Sequence, residues 1–289
     1  MLQIQLTTIE KHLRQIADML VLNGILTDCP GLIHGKMGIA IFFFHYAKYT
    51  NNAMFENYAF DLLGEMQTQI HVNSQADYEK GIAGIGTGLD YLIKNKFLDA
   101  DDDIFEDFDR RMYRAVMHDP WQDFSLYDGL TGYGKYWIAR LLQQGPSMQA
   151  RECLLCITER IEEKITNIPV NEQTDVYCFF HDLRQIFGFD NCIRLLKQCK
   201  KWELQSVDIS KCFPRFRYAP IGNIVCMYQR SRYFNDVLQG EIDIALKQIP
   251  DLDMEKPAAC MGLLTGYVGE GLLRLTALHQ TNMSWMHLL

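Results

Sequence analysis

Two patterns of apolar residues alternate along the chain. Runs at 39–46, 89–93, 136–142 and 272–278 are apolar around most of a helical circumference, as in Ile39-Ala40-Ile41-Phe42-Phe43-Phe44, which is the pattern of a helix enclosed by others. The stretches between them are amphipathic. Residues 54–70 set Phe55, Ala59, Leu62, Leu63 and Met66 on one side, and 104–117, 148–165, 192–201 and 233–249 read as covering helices too. An opening helix over 1–23 repeats Ile9, Leu13, Ile16 and Leu20 at helical spacing and closes at Asn23-Gly24. The pattern predicts an all-α chain in which enclosed and covering helices alternate.

A glycine motif opens each enclosed helix. It reads His34-Gly35-Lys36-Met37-Gly38, then Lys80-Gly81-Ile82-Ala83-Gly84-Ile85-Gly86, then Asp128-Gly129-Leu130-Thr131-Gly132-Tyr133-Gly134, and last Thr265-Gly266-Tyr267-Val268-Gly269-Glu270-Gly271. The last copy also matches the first upstream, where Gly262-Leu263-Leu264-Thr265-Gly266 lies over Gly31-Leu32-Ile33-His34-Gly35. The anchoring glycines 35, 81, 129 and 266 are 46, 48 and 137 residues apart, so two eroded copies are expected, near residues 176 and 221. A fixed period in this range marks a solenoid or closed array of supersecondary units. The expectation is about six helical hairpins in one domain over 1–289, closing into an α/α toroid. Glycine admits positive φ and close backbone approach, and a helix start leaves amide donors without partners. The helix starts are therefore expected to line one end of the array, with donors facing a cavity or an anion.

Composition narrows the classes. With 48% apolar residues and a net charge of −8 the chain is globular and shows no Lys/Arg stripe, so nucleic acid is not an expected partner. No apolar run approaches the roughly 20 residues of a membrane span, and the N-terminus lacks the charged and apolar regions of a signal peptide. Nine irregularly spaced cysteines read as reduced thiols of a cytoplasmic protein. Cys153 and Cys156 have the spacing of a redox pair, but on an amphipathic helix they read as packing residues.

The segments Gly31-Leu32-Ile33-His34-Gly35, Gly81-Ile82-Ala83-Gly84-Ile85-Gly86 and Gly262-Leu263-Leu264-Thr265-Gly266 are similar, in order and period, to those of the lanthionine synthetase C-like family. That family comprises the zinc-dependent cyclases of lanthipeptide biosynthesis and their relatives, and the resemblance spans about residues 31–275. It implies an α/α toroid with a central cavity. It also implies a zinc held by a cysteine of a Trp-Cys-X-Gly segment and by a Cys-His pair before a glycine. Zinc with three protein ligands keeps a position open, where a substrate thiol loses its proton and attacks the β-carbon of a dehydrated Ser or Thr while a nearby acid protonates the enolate. Tyr177-Cys178 falls at the Trp-Cys position, which makes Cys178 the first metal ligand. At the second segment Pro220 and Ile221 precede Gly222, and neither donates to a metal. His181 follows Cys178 at a spacing that shares a helix face, and Cys212 or Cys226 would have to complete a rearranged site. His34 matches a His-Gly pair of the family and is the candidate catalytic acid/base.

The implied protein is a zinc-deficient relative that binds a peptide, or a partner enzyme of a peptide-modification pathway, with no cofactor unless zinc enters a rearranged site. The alternative is an active zinc-dependent cyclase. The acidic balance favours a basic peptide. Asp128, before a helix start, is one candidate peptide contact. Arg215 and Arg217, in Phe213-Pro214-Arg215-Phe216-Arg217-Tyr218, are others suited to a carboxylate. Asp128 with Asp90 and Glu79 also has the makings of a glycoside hydrolase carboxylate pair, although a carboxylate before a helix start serves equally as an N-cap.

Overall fold

The structure, a computed structural model, describes residues 2–71, 73–99, 102–145, 147–186, 189, 191–199, 202, 213–216, 221–252 and 261–289. These residues form twelve α-helices and no strand. Six follow the glycine motifs or their eroded counterparts: α2 (Lys36–Thr50), α4 (Ile82–Lys94), α6 (Leu130–Gln144), α8 (Val170–Leu183), α10 (Gly222–Phe234) and α12 (Tyr267–Ala277). The other six are α1 (Leu2–Gly24), α3 (Ala53–Gln69), α5 (Glu106–Met117), α7 (Met148–Lys164), α9 (Asn191–Cys199) and α11 (Gln239–Lys247).

Burial separates the two sets as their apolar patterns require. Helix α2 buries every residue from Lys36 to Ala47, and α12 every residue from Tyr267 to Thr276. Helix α3 buries only Ala59, Leu62 and Met66, and α5 only Met112, Ala115 and Val116. Their starts differ as well. Helices α3 and α7 begin on side-chain caps, where Asn52 accepts from the Met54 N–H and Ser147 from the Ala150 N–H. The four glycine-started helices have no side-chain cap.

The chain divides into two compact units, Met1–His71 with Arg215–Leu289, and Val72–Pro214. The second unit holds the consecutive hairpins α4/α5, α6/α7 and α8/α9. The first holds α2/α3 and α10/α11, together with α12, whose covering partner is the N-terminal helix α1. Leu13, Ile16, Ala17 and Leu20 form the buried stripe of α1.

One packing rule recurs in both units. The fifth residue after an anchoring glycine is itself glycine in the second, third and last copies, and each such site takes the ring of an aromatic on the next copy's helix. An added methyl at Gly86 would lie 2.5 Å from Tyr136 Cε2, at Gly134 2.7 Å from Phe179 Cδ2, and at Gly271 2.8 Å from Phe42 Cδ2. Tyr136 and Phe42 each stand seven residues after their own anchoring glycine. By the same offset Phe179 puts the fourth copy's anchor at Glu172, upstream of the start expected near 176. The eroded copy has no glycine loop there, so α8 begins directly after Pro169 and runs through the expected start. The fifth copy begins at Gly222, as its phase requires. Its covering helix is shorter than 233–249, because Asn235 adopts a left-handed φ of 57° that ends α10 and detaches α11.

Candidate functional site

Each glycine motif folds its preceding segment back over the helix start. The N–H of Lys36 donates to the Cys29 carbonyl (2.9 Å), that of Ile82 to Gln75 (2.9 Å) and that of Leu130 to Asp123 (3.0 Å). The next amide follows suit, with Met37 to Pro30 (3.2 Å), Ala83 to Ala76 (3.3 Å) and Val268 to Met261 (3.3 Å). The amide donors expected to face a ligand are therefore consumed by the chain's own loop, and these helix starts are not anion sites of the kind expected. The glycines are needed for space. Their backbones are extended with negative φ, from −103° at Gly81 to −128° at Gly35, but a methyl at Gly35 would sit 2.6 Å from the Gly31 nitrogen and one at Gly129 2.6 Å from the Ser125 nitrogen.

Neighbouring loops then bond to one another in a fixed register. The N–H three residues before one anchoring glycine donates to the carbonyl two residues before the next copy's glycine, as Tyr78 to Tyr127 (2.8 Å) and Leu263 to Ile33 (2.7 Å). What remains for a ligand is the residue immediately before each glycine. That position is His34, Lys80, Asp128 and Thr265. Lys80, Asp128 and Thr265 are exposed and His34 is half-buried.

His34 lies over the last copy's loop. A methyl on Gly262 would stand 2.8 Å from its Nδ1, which gives a packing reason for glycine at 262. In the second and third copies the residue at the Gly262 position is Asp77 or Ser125, whose side chain accepts the N–H of Lys80 (2.7 Å) or Asp128 (3.3 Å). Burial, together with the carboxylates of Glu79, Asp77 and Asp123, holds the Asp128 carboxyl above its ordinary range, and Lys80 opposes the shift. This loop end is an acidic rim with one lysine in it. Asp90 is not part of it. That residue is buried on α4 in an ion pair with Lys94 (2.6 Å), so Asp90 takes no part in a carboxylate pair with Asp128.

The proposed metal ligands lie elsewhere. Cys178 and His181 are buried on α8, in the body of the helix and away from any glycine loop. Arg184 Nη2 is 2.7 Å from His181 Nε2. A guanidinium can only donate, so Nε2 is the acceptor and the ring proton belongs on Nδ1. Neither nitrogen then offers a lone pair to a metal. Among the described residues no group of three or more His, Cys, Asp and Glu side chains is placed to hold a metal ion. Cys226 is buried on α10, and Cys212 lies outside the described residues.

Arg215 sits in a 3-10 turn with its guanidinium over the Phe216 ring at 4.7 Å, the aromatic setting expected for it. Arg217 lies outside the described residues. Cys153 is buried on α7, and burial, with Cys156 nearby, drives its thiol far above the usual range, as a packing residue requires.

Two functional candidates escaped sequence reasoning. Glu172 and Asp175, both buried on α8, accept the backbone N–H of Phe124 (3.0 Å) and Leu126 (2.9 Å) in the loop that carries Asp128. Carboxylates one helical turn apart at the start of a helix that ends in a buried apolar run were the available signal.

No protein-family model matches the chain, and no curated protein matches it. None of the described helices is long and apolar enough to cross a membrane.

Proposed function

We propose that the chain is a zinc-deficient relative of the lanthionine synthetase C-like proteins, cytoplasmic, which holds a basic peptide or the basic segment of a partner enzyme at the loop ends of its helical repeats. The observation that carries this reading is the register shared by His34, Lys80, Asp128 and Thr265. These four differ from copy to copy, with Lys80, Asp128 and Thr265 exposed and His34 half-buried. Variation at one accessible position of a regular repeat is the arrangement that repeat proteins use to build a binding surface. The carboxylates around Asp128 supply the charge preference for a basic ligand.

The same reading takes the hairpins as a closed α/α toroid in a single domain. Its support is the direction of the packing rule. Ring-into-glycine contacts lead from the second copy to the third and fourth in one unit, and from the last copy to the first in the other. An open solenoid has no reason to pack its last copy onto its first.

Calorimetric titration of the protein with a synthetic lysine-rich peptide, repeated for Asp128→Lys, tests the reading, alongside elemental analysis of protein purified without chelator or affinity tag. Saturable binding that Asp128→Lys abolishes, with no stoichiometric zinc, is the expected result. Absence of binding overturns the peptide role. About one zinc per chain that disappears in Cys178→Ala makes the active cyclase the better reading.

A further inference from the structure

The fourth copy lacks the loop that, in the regular copies, accepts a backbone N–H from the copy before it. Leu126 occupies the same register as Tyr78 and Leu263, three residues before an anchoring glycine. The N–H groups of Tyr78 and Leu263 go to a neighbouring loop carbonyl, at 2.8 and 2.7 Å. The N–H of Leu126 goes instead to the Asp175 carboxylate on α8 at 2.9 Å, and Phe124, two residues earlier, donates to Glu172 at 3.0 Å.

We infer that Glu172 and Asp175 are positioning residues for the acidic rim: a pair of side-chain acceptors, one helical turn apart, that replaces the missing loop and fixes loop 123–128 in its binding conformation. That the rim binds a basic peptide rests on the function proposed above, whereas the clamp itself does not. Loop 123–128 is held from both sides. On one side the Tyr127 carbonyl takes the N–H groups of Tyr78 and Glu79 (2.8 and 3.2 Å), and on the other α8 takes those of Phe124 and Leu126. Within the loop, Ser125 N–H and hydroxyl donate to Asp123 Oδ1 (2.8 and 2.7 Å), and the Thr131 hydroxyl donates to the Phe124 carbonyl (3.0 Å). If α8 released its two amides, the loop would lose the support that the regular copies get from backbone. Asp128 would then leave the set formed with Glu79, Asp77 and Lys80.

Carboxylates can do this work because a charged acceptor makes a stronger bond to a buried N–H than a neutral one. An amide side chain keeps the acceptor oxygen without the charge, and leucine removes the acceptor. The experiment is residue-resolved amide hydrogen exchange on the full chain, followed by lysine-rich peptide titration of the same proteins. In the wild type, Phe124 and Leu126 are expected to be protected as strongly as Tyr78. Glu172→Leu should lower protection at Phe124, and Asp175→Leu at Leu126, by about tenfold or more. Glu172→Gln and Asp175→Asn should restore it. Peptide affinity should fall in the leucine variants and recover in the amide variants, which a purely structural role for α8 would not produce.

Free exchange of Phe124 and Leu126 in the wild type overturns the clamp even where a leucine variant fails to fold. So does unchanged protection in the leucine variants, or loss of protection in the amide variants equal to that in the leucine ones. Exchange that behaves as expected in a protein that binds no peptide leaves the clamp standing and removes the proposed ligand.

Discussion

Gly134→Ala should destabilise the protein, against the ordinary expectation for a glycine inside a helix. On propensity alone the substitution gains about 1 kcal/mol, because alanine loses less backbone entropy on folding. At this site the new methyl would lie 2.7 Å from Phe179 Cδ2, with Cε2 nearer still, where carbon atoms settle at about 3.5–4.0 Å. The ring is buried in a close-packed interior, so it must shift by about 1 Å, alone or with α8. Overpacking of this kind costs roughly 1–3 kcal/mol. The net expectation is a loss of up to about 2 kcal/mol.

Gly64 supplies the control. It is exposed on α3 with nothing within 4 Å of an added methyl, so Gly64→Ala should stabilise by up to about 1 kcal/mol. Urea unfolding followed by circular dichroism resolves the difference between the two variants, about 1–3 kcal/mol, through the shift of the midpoint at constant slope. The double variant Gly134→Ala/Phe179→Leu should recover most of the alanine penalty, a coupling of about 1–3 kcal/mol between groups in contact. If Gly134→Ala stabilised as Gly64→Ala does, or if its cost survived the loss of the Phe179 ring, the ring-into-glycine rule would be wrong.

Two further outcomes follow from buried ionisable groups. His45 lies inside α2, where burial, aided by Lys48, lowers its pKa to about 4. The unfolded chain therefore takes up a proton near pH 6.5 that the folded chain refuses, and stability should fall as pH drops from about 6.5 to 4, by up to about 3 kcal/mol. His45→Gln should remove that part of the pH dependence, and identical pH profiles for the two proteins would refute the assignment. Arg140 on α6 is buried over the Phe105 ring at 3.8 Å and grips Asp109 of α5 through Nε and Nη2, both at 3.0 Å. Asp109→Ala strands that guanidinium and should cost about 3–5 kcal/mol in urea unfolding, whereas a cost below about 1 kcal/mol would mean that the pair is solvated.

How much of this was legible in the sequence depends on whether a residue's role is carried by its own type or by its partner. Glycines at a fixed period announced the repeat, and the all-round apolar runs separated enclosed from covering helices. Phe42, Tyr136 and Phe179 were hidden, because an aromatic seated on a neighbour's glycine looks like any other member of an apolar run. The fourth copy was misplaced by a few residues for a related reason. Its anchor register is held by Glu172, which carries no loop signal, so the period alone pointed to 176. His34 and Asp128 were readable as candidates because each abuts a glycine, and the aligned motifs already put Lys80 and Thr265 at the same position. His181 was readable as a candidate metal ligand because its spacing from Cys178 is that of a ligand pair. Nothing in the spacing shows that Arg184, one turn further on, occupies Nε2.

The pairing of α1 with α12 bears most directly on whether the array closes. A linear array leaves each terminal repeat with a face that no further repeat covers, and such faces are polar caps. The last copy does not look like a cap. Gly271 opens its next-copy face to Phe42 of the first copy, and Ile16 of α1 comes within 3.3 Å of the same site. After α12 comes a 3-10 turn, Met283–Leu288, whose Trp285 is buried and donates to the Thr276 hydroxyl (3.0 Å). Helix α1 covers α12, and the first copy follows the last by the rule that joins the second to the third.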